Sequence, residues 1–263
     1  MNFWILCLLC VVQGLTEFLP VSSSGHLLFF EQVFNIDGNL MFLNLFLHIA
    51  TLVAVVTVYR NVILNLLKKP LQPLTYKLII STVITIFVAV IYKLLDFEKF
   101  NFSIYGFCFL ITATLLLITH FFQKKSVCCV SSKEISTKHA VLVGFVQGIA
   151  VIPGISRSGS TISTLLLCGN DEKKAAEFSF LMSIPIIVGG FVLELFEVLS
   201  NPQTTNLFAS INMAEYLFAF VLTFIVAFIA LKLTIKILKN NKFIYFSIYL
   251  YIVGSIVVLM NFV

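Results

Sequence analysis

Apolar residues dominate this chain in long runs, and six runs are long enough for a membrane-spanning helix of about 20 residues. They are approximately Leu40–Tyr59, Leu74–Leu95, Ser103–Phe122, Phe178–Leu199, Ala214–Leu238 and Phe243–Phe262. Four shorter apolar arms lie outside the six: Phe3–Val12, Leu27–Phe34, Ala140–Val151 and Ile162–Cys168. The arms come in pairs, and each pair encloses a polar stretch. The first is QGLTEFLPVSSSGHL, Gln13 to Leu27, and the second is QGIAVIPGISRSGSTIS, Gln147 to Ser163. Too short to span and too apolar for water, each pair predicts a re-entrant helical hairpin. An irregular tip at membrane depth is tolerated only where protein or a water-filled cavity surrounds it.

The two polar stretches align at a shift of 134 residues, which places Gln13-Gly14 on Gln147-Gly148, Ser22 on Ser156, Ser24 on Ser158 and Gly25 on Gly159. Ser23 falls on Arg157. A repeat of this kind sets the architecture. Three spans per copy is an odd number, so the second copy must enter the membrane the other way up. The expected fold is an all-α integral membrane protein. It has six transmembrane helices and two re-entrant hairpins in an inverted-topology repeat, residues 1–134 and 135–263 of one membrane domain. Such repeats place their site near the midplane, where the two tips should meet.

Composition agrees with a membrane protein. The chain is 60% hydrophobic and 11% charged, against about a quarter charged for a soluble domain. Its 28 Phe would swamp a water-facing surface. The Phe3–Val12 run resembles a signal peptide only superficially, since no Lys or Arg precedes it and no small-residue cleavage site follows. Cys7, Cys10, Cys108 and Cys168 lie in apolar runs and read as small hydrophobes. Cys128 and Cys129 lie in a basic loop where they should stay reduced.

Charge adds orientation. The 17 Lys and Arg residues fall fourteen on one side of the predicted spans and two, Lys93 and Lys99, on the other, leaving Arg157 aside as part of a tip. By the positive-inside bias the populous side is cytoplasmic. Both termini are then expected on the outer face of a bacterial inner (plasma) membrane. The positive charge is modest and spread among loops, so no nucleic-acid partner is expected.

The chemistry lies in the tips. Ser22, Ser23, Ser24 and Gly25 precede one apolar helical run, and Ser156, Arg157, Ser158, Gly159 and Ser160 precede another, as helix starts with hydroxyl caps. A helix N-terminus offers free N–H groups and a positive dipole end, which suits phosphate. Two facing ends with one guanidinium, Arg157, suit a diphosphate. Glu17 inside a membrane costs about 2.5–3.5 kcal/mol, so it is rarely idle. Ser23 is the candidate nucleophile, and His26 either takes its proton or protonates a leaving oxygen. Glu17 orients His26, acts as base or holds a divalent metal. A structural Arg157–Glu17 pair is the plain alternative. His48 reads equally as a packed residue, His120 and His139 as interfacial, and Lys232 and Lys236 as snorkelling anchors.

On these residues the chain resembles bacterial undecaprenyl-diphosphate phosphatases of the BacA/UppP family. Their motif E/Q-G-x-T-E-F-L-P-I/V-S-S-S/T-G-H is matched from Gln13 to His26, and P-G-x-S-R-S-G-x-T from Pro153 to Thr161. A third pattern, H-x-G-T, is echoed at His48, with Ala50 in place of the Gly. The resemblance covers essentially the whole chain. It implies hydrolysis of undecaprenyl diphosphate to undecaprenyl phosphate and inorganic phosphate, recycling a carrier for cell-wall synthesis. Bacitracin resistance and a divalent cation, Mg²⁺ or else Ca²⁺, are also implied. Carried over by position, Glu17, Ser23, His26 and Arg157 form the catalytic group, with the metal on Glu17. Gln13, Ser22, Ser24, Gly25, Ser156, Ser158 and Thr161 are the substrate-binding set. Many members carry Glu where this chain has Gln13, which leaves one carboxylate in the tip. The oligomeric state, homo-oligomer or not, is open.

Two other classes compete. A transporter or flippase for a lipid-linked phosphate shares inverted repeats and broken helices. A membrane phosphatase of the phosphatidic-acid type would need a lysine at a fixed interval before Arg-Pro, and no Arg-Pro occurs here.

Overall fold

The computed structural model describes residues 2–36, 40–95, 102–126, 134–200, 212–240 and 242–260. Cys128, Cys129, Lys99, Lys133 and the C-terminal Val263 lie outside the described residues. Those residues hold eleven helices. They are α1 Phe3–Thr16, α2 Ser23–Val33, α3 Met41–Val58, α4 Arg60–Lys68, α5 Pro73–Leu94 and α6 Phe102–Ser126. They continue with α7 Thr137–Ile149, α8 Arg157–Leu167, α9 Glu172–Ser200, α10 Met213–Lys239 and α11 Phe243–Leu259.

Four of the six expected spans are helices long and apolar enough to cross a membrane: α5, α6, α9 and α10. The first expected span ends where α3 breaks at Tyr59, and α4 leaves it at 76°. Counted as one bent span, the pair makes five. The last, α11, has 17 residues, about 25 Å of helix at 1.5 Å per residue. The outside of the bundle is greasy. Phe87 is 64% exposed, Leu193 70% and Phe196 72%, which lipid accommodates and water does not.

The interior is held by packing and by hydroxyls. Leu9, Phe18, Leu47, Phe109, Leu116 and Phe180 are fully buried. Between apolar helices a hydroxyl can bond the backbone of a neighbour while small residues let backbones close up. Ser81 of α5 donates to the Ala140 carbonyl of α7 at 2.8 Å, and Thr85 to that of Gly144 at 3.0 Å. Ser247 of α11 donates to the Ala113 carbonyl of α6 at 2.7 Å.

The short helices cross over between halves of the chain: α1 packs against α10, and α7 against α5. Both contacts are close because a glycine sits in each. A Cβ on Gly14 would lie 2.9 Å from the Thr223 carbonyl and from Val226, and one on Gly148 would lie 2.4 Å from Val88 and 3.2 Å from the Thr85 carbonyl. The same glycine–threonine–valine arrangement thus occurs at both contacts. These crossings bring the α1–α2 turn and the α7–α8 turn together in the protein interior.

Candidate active site

Residues 17–22 turn the chain from α1 into α2, and residues 150–156 turn it from α7 into α8. Pro20 and Pro153 lie in these turns and cannot continue a helix. The two turns interlock through backbone contacts. The Gly154 N–H donates to Ser22 Oγ at 3.1 Å, and Ser158 Oγ donates to the Leu19 carbonyl at 3.0 Å. Gly25 lies flat against the other tip, where a Cβ would be 2.8 Å from the Gly154 nitrogen and 2.9 Å from its Cα. Gly154 itself has φ +91°, a region open to glycine and costly to other residues. Thr112 of α6 braces the second tip by accepting the Ser156 N–H at 3.0 Å.

The two helix starts are not equivalent. Ser156 caps α8 as expected, its Oγ accepting the Gly159 N–H at 3.0 Å. Ser22 does not cap α2. Its φ is +68° and ψ +99°, and its hydroxyl is spent on Gly154 instead. A non-glycine residue in that region costs on the order of 1–3 kcal/mol and persists only when its surroundings hold it. The Gly154 bond is one restraint. His26 is the other, its Nδ1 donating to the Ser22 carbonyl at 2.6 Å.

Glu17 is the hub. It is 5% exposed. Arg157 from the other tip donates through Nη2 to Oε1 in an ion pair. Ser23 Oγ donates to Oε2 at 2.6 Å, and Gln13 Nε2 to the same oxygen at 3.1 Å. His48 of α3 approaches Oε2 at 3.8 Å through Nε2. Because His48 Nδ1 gives its proton to the Asn44 carbonyl at 2.7 Å, Nε2 is the nitrogen left facing the carboxylate. The expected tip pair of Glu17 and Arg157 is therefore present, with Ser23 joined to it.

His26 is placed differently from the expectation. It neither accepts from Ser23 nor touches Glu17. As residue i+4 from Ser22 it reaches back to that carbonyl, and its Nε2 meets the Tyr249 hydroxyl at 2.8 Å. The ring is 2% exposed, stacked on Tyr249 and edge-on to Phe109. With Nδ1 committed as donor, Nε2 accepts from Tyr249, and neither nitrogen is free for the Ser23 proton.

A cavity of about 30 Å³ opens at the junction, room for a water or a phosphate oxygen. Glu17, Ser22, Ser23, Ser24, Ser156, Arg157 and Ser158 line it. Three members of the expected substrate-binding set stand apart. Gly25 is buried in the tip contact and is not among the lining residues. Thr161 is fully buried and bonds the Arg157 carbonyl and Ser179. Gln13 is fully buried beside Glu17, with its Oε1 lacking a hydrogen-bond partner. His48 is hydrogen-bonded within α3, as one of its two readings expects, and also faces Glu17. Thr112 and Tyr249 join the tips without having been singled out in the sequence. An imidazole within an apolar run was the signal for His48, whereas the other two arrive only by tertiary packing.

Fold and site together define a multi-pass helical membrane protein with a polar centre closed in by two interlocked tips. The family model described as "Bacitracin resistance protein BacA" matches residues 6–256, and the chain belongs to that family. It is 35% identical to a protein of Carboxydothermus hydrogenoformans named "Undecaprenyl-diphosphatase", over 99% of this chain and 98% of the relative. Proteins of the same name from Treponema denticola and Oceanobacillus iheyensis are 35% and 32% identical. These alignments cover 94% and 98% of this chain, and 93% and 98% of the respective relatives.

Proposed function

We propose that the chain hydrolyses undecaprenyl diphosphate to undecaprenyl phosphate and inorganic phosphate, the activity for which its relatives are named. The observation that carries this reading is the Ser23–Glu17–Arg157 cluster. It holds a hydroxyl, its proton acceptor and a phosphate-binding cation at one cavity beside two helix starts. Ser23 Oγ attacks the terminal phosphorus as Glu17 takes its proton across the 2.6 Å hydrogen bond. The phosphoanhydride P–O bond breaks, and undecaprenyl phosphate leaves. A phosphate is stable as an anion near neutrality, so no general acid is needed beside it. Water then attacks the phosphoserine as Glu17, having shed the first proton, takes one from the water. The Oγ–P bond breaks, Glu17 returns that proton to Ser23 Oγ, and inorganic phosphate leaves. Arg157 turns part of its fork to the phosphate oxygens. The positive ends of α2 and α8 add to that field. His26 acts as a positioning residue that holds the strained Ser22.

A divalent cation, Mg²⁺ or else Ca²⁺, fits this donor set in one mode. Among the described residues no group of three His, Cys, Asp or Glu side chains comes together, so there is no ready-made cage. An ion that keeps its waters and borrows diphosphate oxygens needs only one or two protein ligands. Glu17 and the unpartnered Gln13 Oε1 are the residues to hold it. When bound it would neutralise charge on phosphate oxygens.

The architecture behind this reading is an inverted repeat of residues 1–134 and 135–263, with six crossings and two re-entrant hairpins. The matched crossings of α1 on α10 and α7 on α5 support it, as does the α2 and α8 correspondence at a shift of 134 residues. The lysine distribution supports an inner-membrane protein with both termini outside.

The test is phosphate release from undecaprenyl diphosphate by the purified protein with Mg²⁺. Release that disappears in Ser23→Ala and Glu17→Gln supports the phosphatase. A folded protein that binds the lipid and releases nothing overturns it in favour of lipid transport.

A further inference from the structure

Away from the tips, three helices begin around one larger cavity: α5 at Pro73, α7 at Thr137 and α9 at Glu172. The cavity measures about 280 Å³. Lys77, Lys174, Glu134 and Glu177 line it, with Leu74 and Phe178 as its apolar wall. Lys77 is 9% exposed. Among the described residues no carboxylate lies within ion-pair distance of it, and its ammonium meets only the Tyr76 ring, at 5.7 Å. Gln72, at the N-cap of α5, does not cap that helix, and its Nε2 is buried without a partner at the same cavity. A buried amide left unpaired is costly unless something in the cavity meets it, and Lys77, little exposed and without a carboxylate partner, lines the same space.

The pattern of signs narrows the ligand. Two ammoniums and two carboxylates face the same space, yet among the described residues none of the four is joined to another in an ion pair. A simple anion would meet both carboxylates, and a simple cation both lysines. A molecule carrying both charges satisfies all four. Position narrows it further. The cavity lies where α5 and α9, both long and apolar enough to cross a membrane, begin, the level at which lipid headgroups lie. Pockets between membrane helices at this level take lipid headgroups, and the balance of charge in this one favours a zwitterionic head.

We propose that this cavity seats the head of a zwitterionic aminophospholipid. Its phosphate diester lies toward Lys77, Lys174 and the positive end of α5, and its primary ammonium toward Glu134 and Glu177. This lipid site is separate from the tip junction and independent of the chemistry there.

The test uses the purified full chain in detergent and follows its Tm during addition of dioleoylphosphatidylethanolamine. Parallel series use the phosphatidylcholine, the phosphatidylglycerol and inorganic phosphate. The ethanolamine lipid is expected to raise Tm by several degrees. The choline lipid, which has the same phosphate but no N–H, should have little effect. Lys77→Met and Glu177→Gln should each remove the shift. Equal shifts with choline or glycerol lipid, a shift reproduced by phosphate alone, or no shift with any lipid overturns the proposal. So does a shift that survives in both variants. If Lys77→Met does not fold, Glu177→Gln and the lipid series decide.

Discussion

Ser23 and Glu17 lie six residues apart on either side of a turn, and a 2.6 Å hydrogen bond joins them. The same carboxylate is the ion-pair partner of Arg157 from the opposite tip. One buried acid thus connects the candidate nucleophile of one stretch to the cation of the other. Replacing Ser23 by Ala, or Glu17 by Gln, should lower phosphate release about 10²- to 10⁴-fold, the range for losing a nucleophile or its proton acceptor. Single-turnover assays on protein of unchanged Tm check this. A variant retaining more than a tenth of wild-type turnover excludes its residue from the chemistry.

Arg157 should matter to stability as well as to turnover. Arg157→Ala leaves Glu17 buried without a counter-charge, a loss of about 3–5 kcal/mol for a buried pair. Adding Glu17→Gln to Arg157→Ala should recover much of the lost Tm and none of the activity. Additive losses of Tm in the double variant would mean that the pair is not coupled.

Two histidines should separate by phenotype. His48, which points Nε2 at Glu17 and is 31% exposed in its side chain, should on replacement by Ala lose turnover at least tenfold with Tm nearly unchanged. Tyr249→Phe removes the hydroxyl that His26 Nε2 meets and should lower Tm by an amount matching one lost hydrogen bond, about 1 kcal/mol. Its effect on turnover should be small. A large turnover loss at constant Tm in Tyr249→Phe would return His26 to the reacting centre.

The tip contact admits no added methyl. Gly25→Ala would drive a Cβ into Gly154 backbone at 2.8 Å and into Phe109 at 2.6 Å, and overpacking of this kind costs about 1–3 kcal/mol. Tm and turnover should fall together. Gly189→Ala is the control, since a Cβ there meets nothing within 4 Å. Helix propensity alone favours that change by up to about 1 kcal/mol. Equal behaviour of the two variants would show that the tips do not need close approach.

Membrane orientation has its own check. A reporter fused after Val263 should be active on the outer face. A Cys placed at Lys173 should be labelled from the cytoplasmic side. The reverse pattern would invert the reading.

Hydropathy located α5, α6 and α10 within a few residues, because a lipid-facing helix must be apolar nearly all round. It started α9 late, at Phe178. The first turns, Glu172 to Glu177, are charged, and Asp171 caps them by accepting the Lys173 and Lys174 N–H groups at 3.0 and 3.1 Å. It did not resolve α4, which is short, half polar and turned sharply from α3. In the site, residue types and the repeat identified the two tips, because serines, a glutamate and an arginine stand out in apolar sequence. Which group faces which was not legible. His26 turns away from Ser23 because a carbonyl four residues back and a hydroxyl from α11 claim its two nitrogens. Neither claim has a sequence signature.

Ser23 and Arg157 occupy equivalent places in the two stretches, yet they attend the same carboxylate from different sides. Two identical polypeptides related by a dyad would bring matching side chains to that axis, serine beside serine or arginine beside arginine. A fused chain escapes this constraint, because each place can change without altering its twin. In the proposed mechanism one tip supplies the attacking oxygen and the other anchors negative charge. Two similar stretches in one chain can in this way serve a displacement that has a definite direction, entering at one end of a bond and departing at the other.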